Sequence, residues 1–265
     1  MTWLKDIEKA AKEVLNVLGE GYNEKEYEEA LAHELRLRQM SYERQRNFEI
    51  IYKGYRVGDG IVDLIINPRW CNPSGKEFVL EVKKGAKIQE SYKRQAQVYM
   101  ISLNINDGAV LCFSDEILLE SIPKPEKTLD TRVVKPGRKM KKTLEDSLKE
   151  CAKNVFDYFG KEFTFRDDRM TIFTSAISVE LRLRKINFTQ ETHEITYKNH
   201  KVSSYNFDFA FGKGEVAEVD FYEKEEKIKD LVDELKTHRK LFGLTKAYLI
   251  AIPKAEKGHA RVIAV

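Results

Sequence analysis

"HELRLR" at residues 33–38 returns as "VELRLR" at residues 179–184. A chance likeness would end at the edges of these two stretches, whereas a duplicated unit predicts agreement across several consecutive elements. The agreement continues on both sides. Upstream, "AAKEVLNVLGEGY" (10–22) faces "CAKNVFDYFGKEF" (151–163), and downstream "FEIIYKGYRV" (48–57) faces "HEITYKNHKV" (193–202). "GIVDLII" (60–66) then faces "YNFDFAF" (205–211), "EFVLEVK" (77–83) faces "GEVAEVD" (214–220), and "AVLCF" (109–113) faces "AYLIA" (247–251). The spacing shifts by about eight residues where the second copy lacks a match to "NPRWCNPSGK" (67–76), a turn-rich stretch in which deletion is cheap. The reading is a tandem duplication.

This alignment draws a domain map of a first unit at 1–118, a linker at 119–143 and a second unit at 144–265. The linker contains "SIPKPEKTLDTRVVKPGRKMKK" (121–142), which holds three of the six prolines and breaks every apolar period.

Within one unit, Leu4, Ile7, Ala11, Val14, Leu15 and Leu18 recur at helical spacing until Gly19 and Gly21 stop the pattern. A second helix is expected over about 24–39. Three β-branched, apolar or alternating stretches follow at about 48–57, 60–67 and 77–83, then a charged helix at 86–103 and an apolar strand at 109–113. The expected class is α/β: two tandem units, each a mixed central sheet flanked by helices in the order α-β-β-β-α-β.

Composition bounds the remaining choices. The 265 residues are 42% hydrophobic and 34% charged with a net charge of only +3, the balance of a soluble globular protein. Cys71, Cys112 and Cys151 are odd in number and widely spaced, which argues against a disulfide scaffold or a zinc site and for a reducing intracellular setting. "MTWLKDIEKAAKEVLNVLG" carries charges throughout, and no run approaches the ~18 apolar residues of a membrane helix, so neither secretion by a leader nor a membrane role is expected.

Chemistry is sought where acids and a cation share a face. Side chains alternate along a strand, so Glu81 and Lys83 point the same way, and Asp63 on the neighbouring strand can join them. Hard oxygen ligands of this kind bind Mg²⁺ or Mn²⁺, and a lysine beside the ion can hold an attacking water or stabilise charge on a phosphate. In a chain so rich in Glu and Lys, the same pattern also arises as a solvated strand face.

Further residues narrow that choice. "GYNEKEY" (21–27) opens the second helix with Gly21, Glu24 and Tyr27 and runs on through "YEEALAHELRLR". "YKGYRVGDGIVDLII" (52–66), "EVK" (81–83) and "QAQVY" (95–99) follow in order. The first copy thereby resembles the GxxExxY proteins, small members of the PD-(D/E)XK nuclease superfamily. That resemblance implies a nuclease fold with Asp63, Glu81 and Lys83 as the catalytic residues. It also implies Glu24 as an additional acid and Gln95 and Tyr99 as supporting residues. Val62 stands where the superfamily motif has proline. The expected mechanism holds a metal ion on Asp63, Glu81, the Val82 carbonyl and Glu24, with Lys83 orienting water. Plainer readings stand beside these: Tyr27 and Tyr99 as core aromatics, Gly21 as a helix stop, Glu24 as a carboxylate favoured by the helix dipole.

In the second copy Asp208 matches Asp63 and Glu218 matches Glu81, but Asp220 stands in place of Lys83 and Met170 in place of Glu24. The expected function is metal-dependent hydrolysis of DNA or RNA by the first copy, the second serving as a pseudo-nuclease that completes an intramolecular pseudo-dimer or grips nucleic acid. Lys135, Arg138, Lys139, Lys141 and Lys142 in the basic linker are candidate phosphate contacts. The alternative is a non-catalytic nuclease-fold protein with a binding or assembly role, for instance in a viral particle.

Overall fold

The computed structural model describes residues 2–67, 75–123, 126, 132–137, 142–159, 169–254 and 258–265. The chain divides into two compact units, Met1–Ile50 with Asp59–Leu129, and Ile51–Gly58 with Asp130–Val265. Each contains a five-stranded mixed sheet flanked by helices.

The first begins with α1 (Thr2–Leu18), which buries Ile7, Ala10, Ala11 and Val14 on one stripe. Gly19 ends it at φ 76°, its N–H returning to the Leu15 carbonyl at 2.8 Å. Helix α2 (Glu24–Leu37) buries Tyr27, Leu31, Ala32 and Leu35, again at helical spacing. The strands β1 (Tyr42–Tyr52), β2 (Tyr55–Ile66) and β3 (Phe78–Lys84) follow, then α3 (Glu90–Leu103), β4 (Asp107–Phe113) and β5 (Ile117–Pro123), in sheet order β1-β2-β3-β4-β5. Strands β3 and β4 are parallel because α3 carries the chain back across the sheet; β2–β3 and β4–β5 are antiparallel. Phe78 to Val82 and Gly108 to Phe113 are buried without interruption, as the central strands of a sheet covered on both faces must be. Each large apolar side chain so buried contributes about 1.5–3 kcal/mol.

The second unit repeats the plan with α4 (Leu144–Phe159), α5 (Arg169–Leu183), β6 (Thr189–Tyr197), β7 (His200–Ala210), β8 (Glu215–Tyr222), α6 (Glu225–Leu241), β9 (Lys246–Pro253) and β10 (Arg261–Ala264). Its sheet order is β10-β9-β8-β7-β6, with β8–β9 the parallel pair. Its core gathers Phe207, Val216, Tyr222, Leu231, Leu235 and Leu249.

Three features differ from the sequence expectation. The first hairpin turns at Lys53-Gly54 (φ 50° and 82°), not at Gly58-Asp59; two central residues with positive φ match the right-handed twist of the strands, and Gly58 to Gly60 stay extended within β2. Lys198-Asn199 (φ 47° and 64°) makes the same turn in the second unit. Strand β5 occupies residues assigned in part to the linker: its apolar "ILL" continues the sheet, and Pro123 is tolerated at the end of an edge strand. Strand β10 likewise adds an edge to β9, so among the described residues each unit has two helices, five strands and a crossover helix in place of the shorter order expected. No helix of the described residues is long and apolar enough to cross a membrane.

Candidate active site

The site forms where a strand ladder stops. Strands β2 and β3 pair in register at Ile66↔Phe78, Ile65↔Val79 and Leu64↔Leu80. One step further, the Asp63 carboxylate (Oδ2) takes the place of a main-chain acceptor and receives the Val82 N–H at 3.3 Å. The strands part there, and the side chains of Asp63, Glu81 and Lys83 meet at the opening.

Glu81 is fully buried. Its Oε1 lies 2.7 Å from Lys83 Nζ as an ion pair, yet neither carboxylate oxygen receives a well-aligned hydrogen bond. Lys83 Nζ also donates to Glu24 Oε1 at 2.9 Å, so the lysine joins the central strand to the first turn of α2. The Glu24 side chain is 44% exposed and that of Lys83 13%, which makes Glu24 the solvent-facing member of the trio. Gly21 sets the approach of α2: it adopts φ 99°, open to glycine without strain, and its carbonyl accepts from Lys84 Nζ at 3.3 Å.

Burial, and next the charge of Asp63, hold the Glu81 carboxyl well above the usual carboxylate range, against the pull of Lys83. Burial also raises Asp63, while Lys83 and the Val82 N–H draw it down and Glu28 and Glu24 push it up. For Lys83, burial alone lowers the ammonium, but Glu81, Asp63 and Glu24 together outweigh it and keep the group protonated.

The Glu81 oxygens, buried without an aligned hydrogen bond beside the Asp63 carboxylate, favour positive charge, part of which Lys83 supplies. Among the described residues no three acids, histidines or cysteines converge as a metal group. The two carboxylates of Asp63 and Glu81 suit Mg²⁺, an ion that commonly takes one or two protein carboxylates and keeps several waters.

The other candidate residues have surroundings of their own. Gln95 Nε2 donates to Tyr99 Oη at 2.6 Å on α3, and the buried Tyr99 ring packs edge-on against Phe48. Tyr27 is a core residue, stacked on Phe113 at 4.6 Å with its hydroxyl donating to the Gly19 carbonyl at 2.9 Å. Lys135 is exposed, while Lys142 is paired with Glu150; Arg138, Lys139 and Lys141 lie outside the described residues.

Sequence reasoning missed Glu28 and Arg44. Glu28 lies one turn beyond Glu24 on α2 and acts on the Asp63 carboxyl, while Arg44 on β1 holds Glu28 Oε1 through Nη2 at 3.0 Å. The i, i+4 spacing from Glu24 was the available signal.

The second unit has the same fork. Strands β7 and β8 pair at Ala210↔Val216 and Phe209↔Ala217, and Asp208 Oδ2 then accepts the Val219 N–H at 2.8 Å. Glu218 precedes Val219 as Glu81 precedes Val82. Its partner, however, is the Tyr205 hydroxyl, which donates to Glu218 Oε1. Asp220 stands two residues after Glu218, where β3 has Lys83 after Glu81, and its Oδ1 accepts the Phe221 N–H at 2.6 Å. Met170, in the place of Glu24, lies in the first turn of α5; its side chain is outside the described residues.

The model of the PD-(D/E)XK nuclease superfamily matches residues 1–122, the span that contains this fork. A solved structure, that of SSO0001, is matched at 19% sequence identity with a TM-score of 0.30, over 38% of this chain and 49% of that one. The chain thus spans about half the length of that structure. No curated protein matches the chain.

Proposed function

We propose that the first unit is a metal-dependent nuclease of the GxxExxY type, that the chain arose by tandem duplication, and that the second unit is a copy that has lost catalysis. The observation carrying the catalytic reading is the buried Glu81 carboxylate, unbonded on both oxygens and set beside Asp63 and Lys83. Lys83 meets that carboxylate on one side as an ion pair, but burial beside Asp63 leaves it short of positive charge, which a metal ion would supply.

In this reading Asp63, Glu81 and the Val82 carbonyl would hold Mg²⁺ or Mn²⁺. When bound, the ion supplies Lewis-acid stabilisation of charge on the scissile phosphate. Asp63 fixes the fork through the Val82 N–H, so the two acids stay at one point. Lys83, protonated and tethered by Glu81 and Glu24, donates to the attacking water or to a phosphate oxygen. Glu24 orients the lysine and adds an acid at the open edge. Gln95 and Tyr99 support the strand from α3. The substrate is nucleic acid, DNA or RNA, whose backbone the exposed Lys135 and its basic neighbours in sequence can contact.

The duplication reading is supported by the matched Asp forks and by the paired positive-φ turns at Lys53-Gly54 and Lys198-Asn199. A non-catalytic role suits the second unit, because Tyr205 occupies Glu218 and Asp220 replaces the lysine.

Purified protein with Mn²⁺ is expected to cleave DNA or RNA. Lys83→Ala lowers the rate by ~10²–10⁴-fold with the fold intact, as removal of a positioned proton donor does. Asp63→Asn abolishes calorimetric Mn²⁺ binding. Cleavage unchanged in Lys83→Ala, or Mn²⁺ binding unchanged in Asp63→Asn, rejects the assignment.

A further inference from the structure

The two copies differ sharply in what their hairpin tips and helical faces touch. Residues 51–58, the tip between β1 and β2, belong to the second compact unit. Within that unit Tyr52 is fully buried; its hydroxyl donates to Glu180 Oε1 at 2.6 Å and its ring meets Tyr158 edge-on at 4.7 Å. Lys53 pairs with the same buried carboxylate, which Arg184 and Asn154 also hold. The Tyr158 hydroxyl donates to the Ile51 carbonyl at 3.1 Å, and Val57 is buried. A tyrosine-lysine tip is thus seated on the α4/α5 face.

The matching tip, 196–203, is bare. Tyr197, aligned with Tyr52, is 63% exposed, and Val202, aligned with Val57, is 56% exposed. The helical face matching α4/α5 is bare as well. On α1 and α2, Val17 stands in register with Tyr158 and is 73% exposed; Leu37 stands in register with the buried Leu183 and is 65% exposed. The acid-arginine pair is retained there, Arg38 Nε donating to Glu34 Oε1 at 2.7 Å as Arg184 holds Glu180. Single exposed apolar side chains are ordinary on a protein surface. These four are not scattered: they make up the unoccupied tip and the unoccupied seat of a contact whose other instance is filled.

We propose that the tip of the β6–β7 hairpin docks on the α1/α2 face of a second copy of this chain, with Tyr197 and Lys198 directed to Glu34. Each chain offers one tip and one seat, and the assembly that satisfies both with the fewest chains is a reciprocal dimer. Lys198 and Glu34 supply opposite charges, and Tyr197 and Val17 stand where Tyr52 and Tyr158 meet in the filled contact. The inference rests on the equivalence of the two copies proposed above and is independent of catalysis, which is read by cleavage and not by mass.

Light scattering after size-exclusion chromatography at concentrations up to ~100 µM is expected to give the mass of two chains for the full-length protein. Tyr197→Asp and Leu37→Asp, both at exposed positions, are each expected to return it to one chain while nuclease activity persists. A short thiol cross-linker should join Val17→Cys chains to Tyr197→Cys chains in a mixture, and Leu37→Asp in the first partner should abolish that product. A single-chain mass without mixed cross-linking overturns the proposal, as does a dimer that both aspartate variants leave intact.

Discussion

Replacing Glu218 by glutamine should stabilise the second unit at alkaline pH, and the size of the effect follows from its surroundings. Burial first, then Asp208, Asp220 and Glu234, raise the Glu218 carboxyl to about 7 from an ordinary 4.5, despite the hydrogen bond from Tyr205. A folded-state pKa above the unfolded one means the folded protein binds the proton more tightly. Its stabilisation is complete below pH 4.5 and is lost as pH rises through about 7. Each pH unit of that window is worth about 1.4 kcal/mol, so the full shift corresponds to about 3 kcal/mol; partial exposure at the fork reduces this to about 2 kcal/mol. Glutamine reproduces the protonated side chain, keeps an oxygen for the Tyr205 hydroxyl and does not titrate. Urea denaturation of wild type and Glu218→Gln at a series of pH values should show equal stability near pH 4 and a gap of about 2 kcal/mol in favour of the variant by pH 8. Parallel pH profiles, or a variant less stable than wild type at pH 8, would refute the reasoning that burial among acids sets the state of this group.

Other outcomes follow from the same geometry. Glu180→Gln leaves Lys53 and Arg184 without their shared buried anion and should cost about 2–4 kcal/mol in thermal or urea unfolding at neutral pH. Glu180 is pressed upward by burial, but Lys53, Tyr52 and Arg184 outweigh this and lower its carboxyl. Its contribution is therefore present above the ordinary carboxylate pKa and fades as pH falls through the lowered value, so the variant's deficit should shrink in acid. Tyr27→Phe loses only the bond to the Gly19 carbonyl and should cost about 1 kcal/mol while cleavage is retained, which separates a core tyrosine from a catalytic one. Lys135→Ala should reduce the slope of log affinity for nucleic acid against log salt by about one and weaken all sequences alike.

The sequence by itself determined the elements whose cause is local. Apolar residues at helical spacing specify α1 and α2, unbroken apolar runs specify β3 and β4, and their recurrence outlines two units. It also singled out Asp63, Glu81 and Lys83, because alternation along a strand is readable without contacts, and the resemblance to the GxxExxY proteins added Glu24. The tertiary structure alone decided what depends on neighbours distant in the chain. Strands β5 and β10 owe their existence to a free edge of β4 and β9, not to a period of their own. Glu28 came to act on Asp63 only through the packing of α2 against the sheet at β3, and Tyr205 became the partner of Glu218 only because folding brings the two side chains together. Tyr52 and Tyr197 lie in nearly identical stretches, yet one is buried on a carboxylate and the other faces solvent. No local pattern separates them, since burial is a property of what the rest of the chain leaves uncovered.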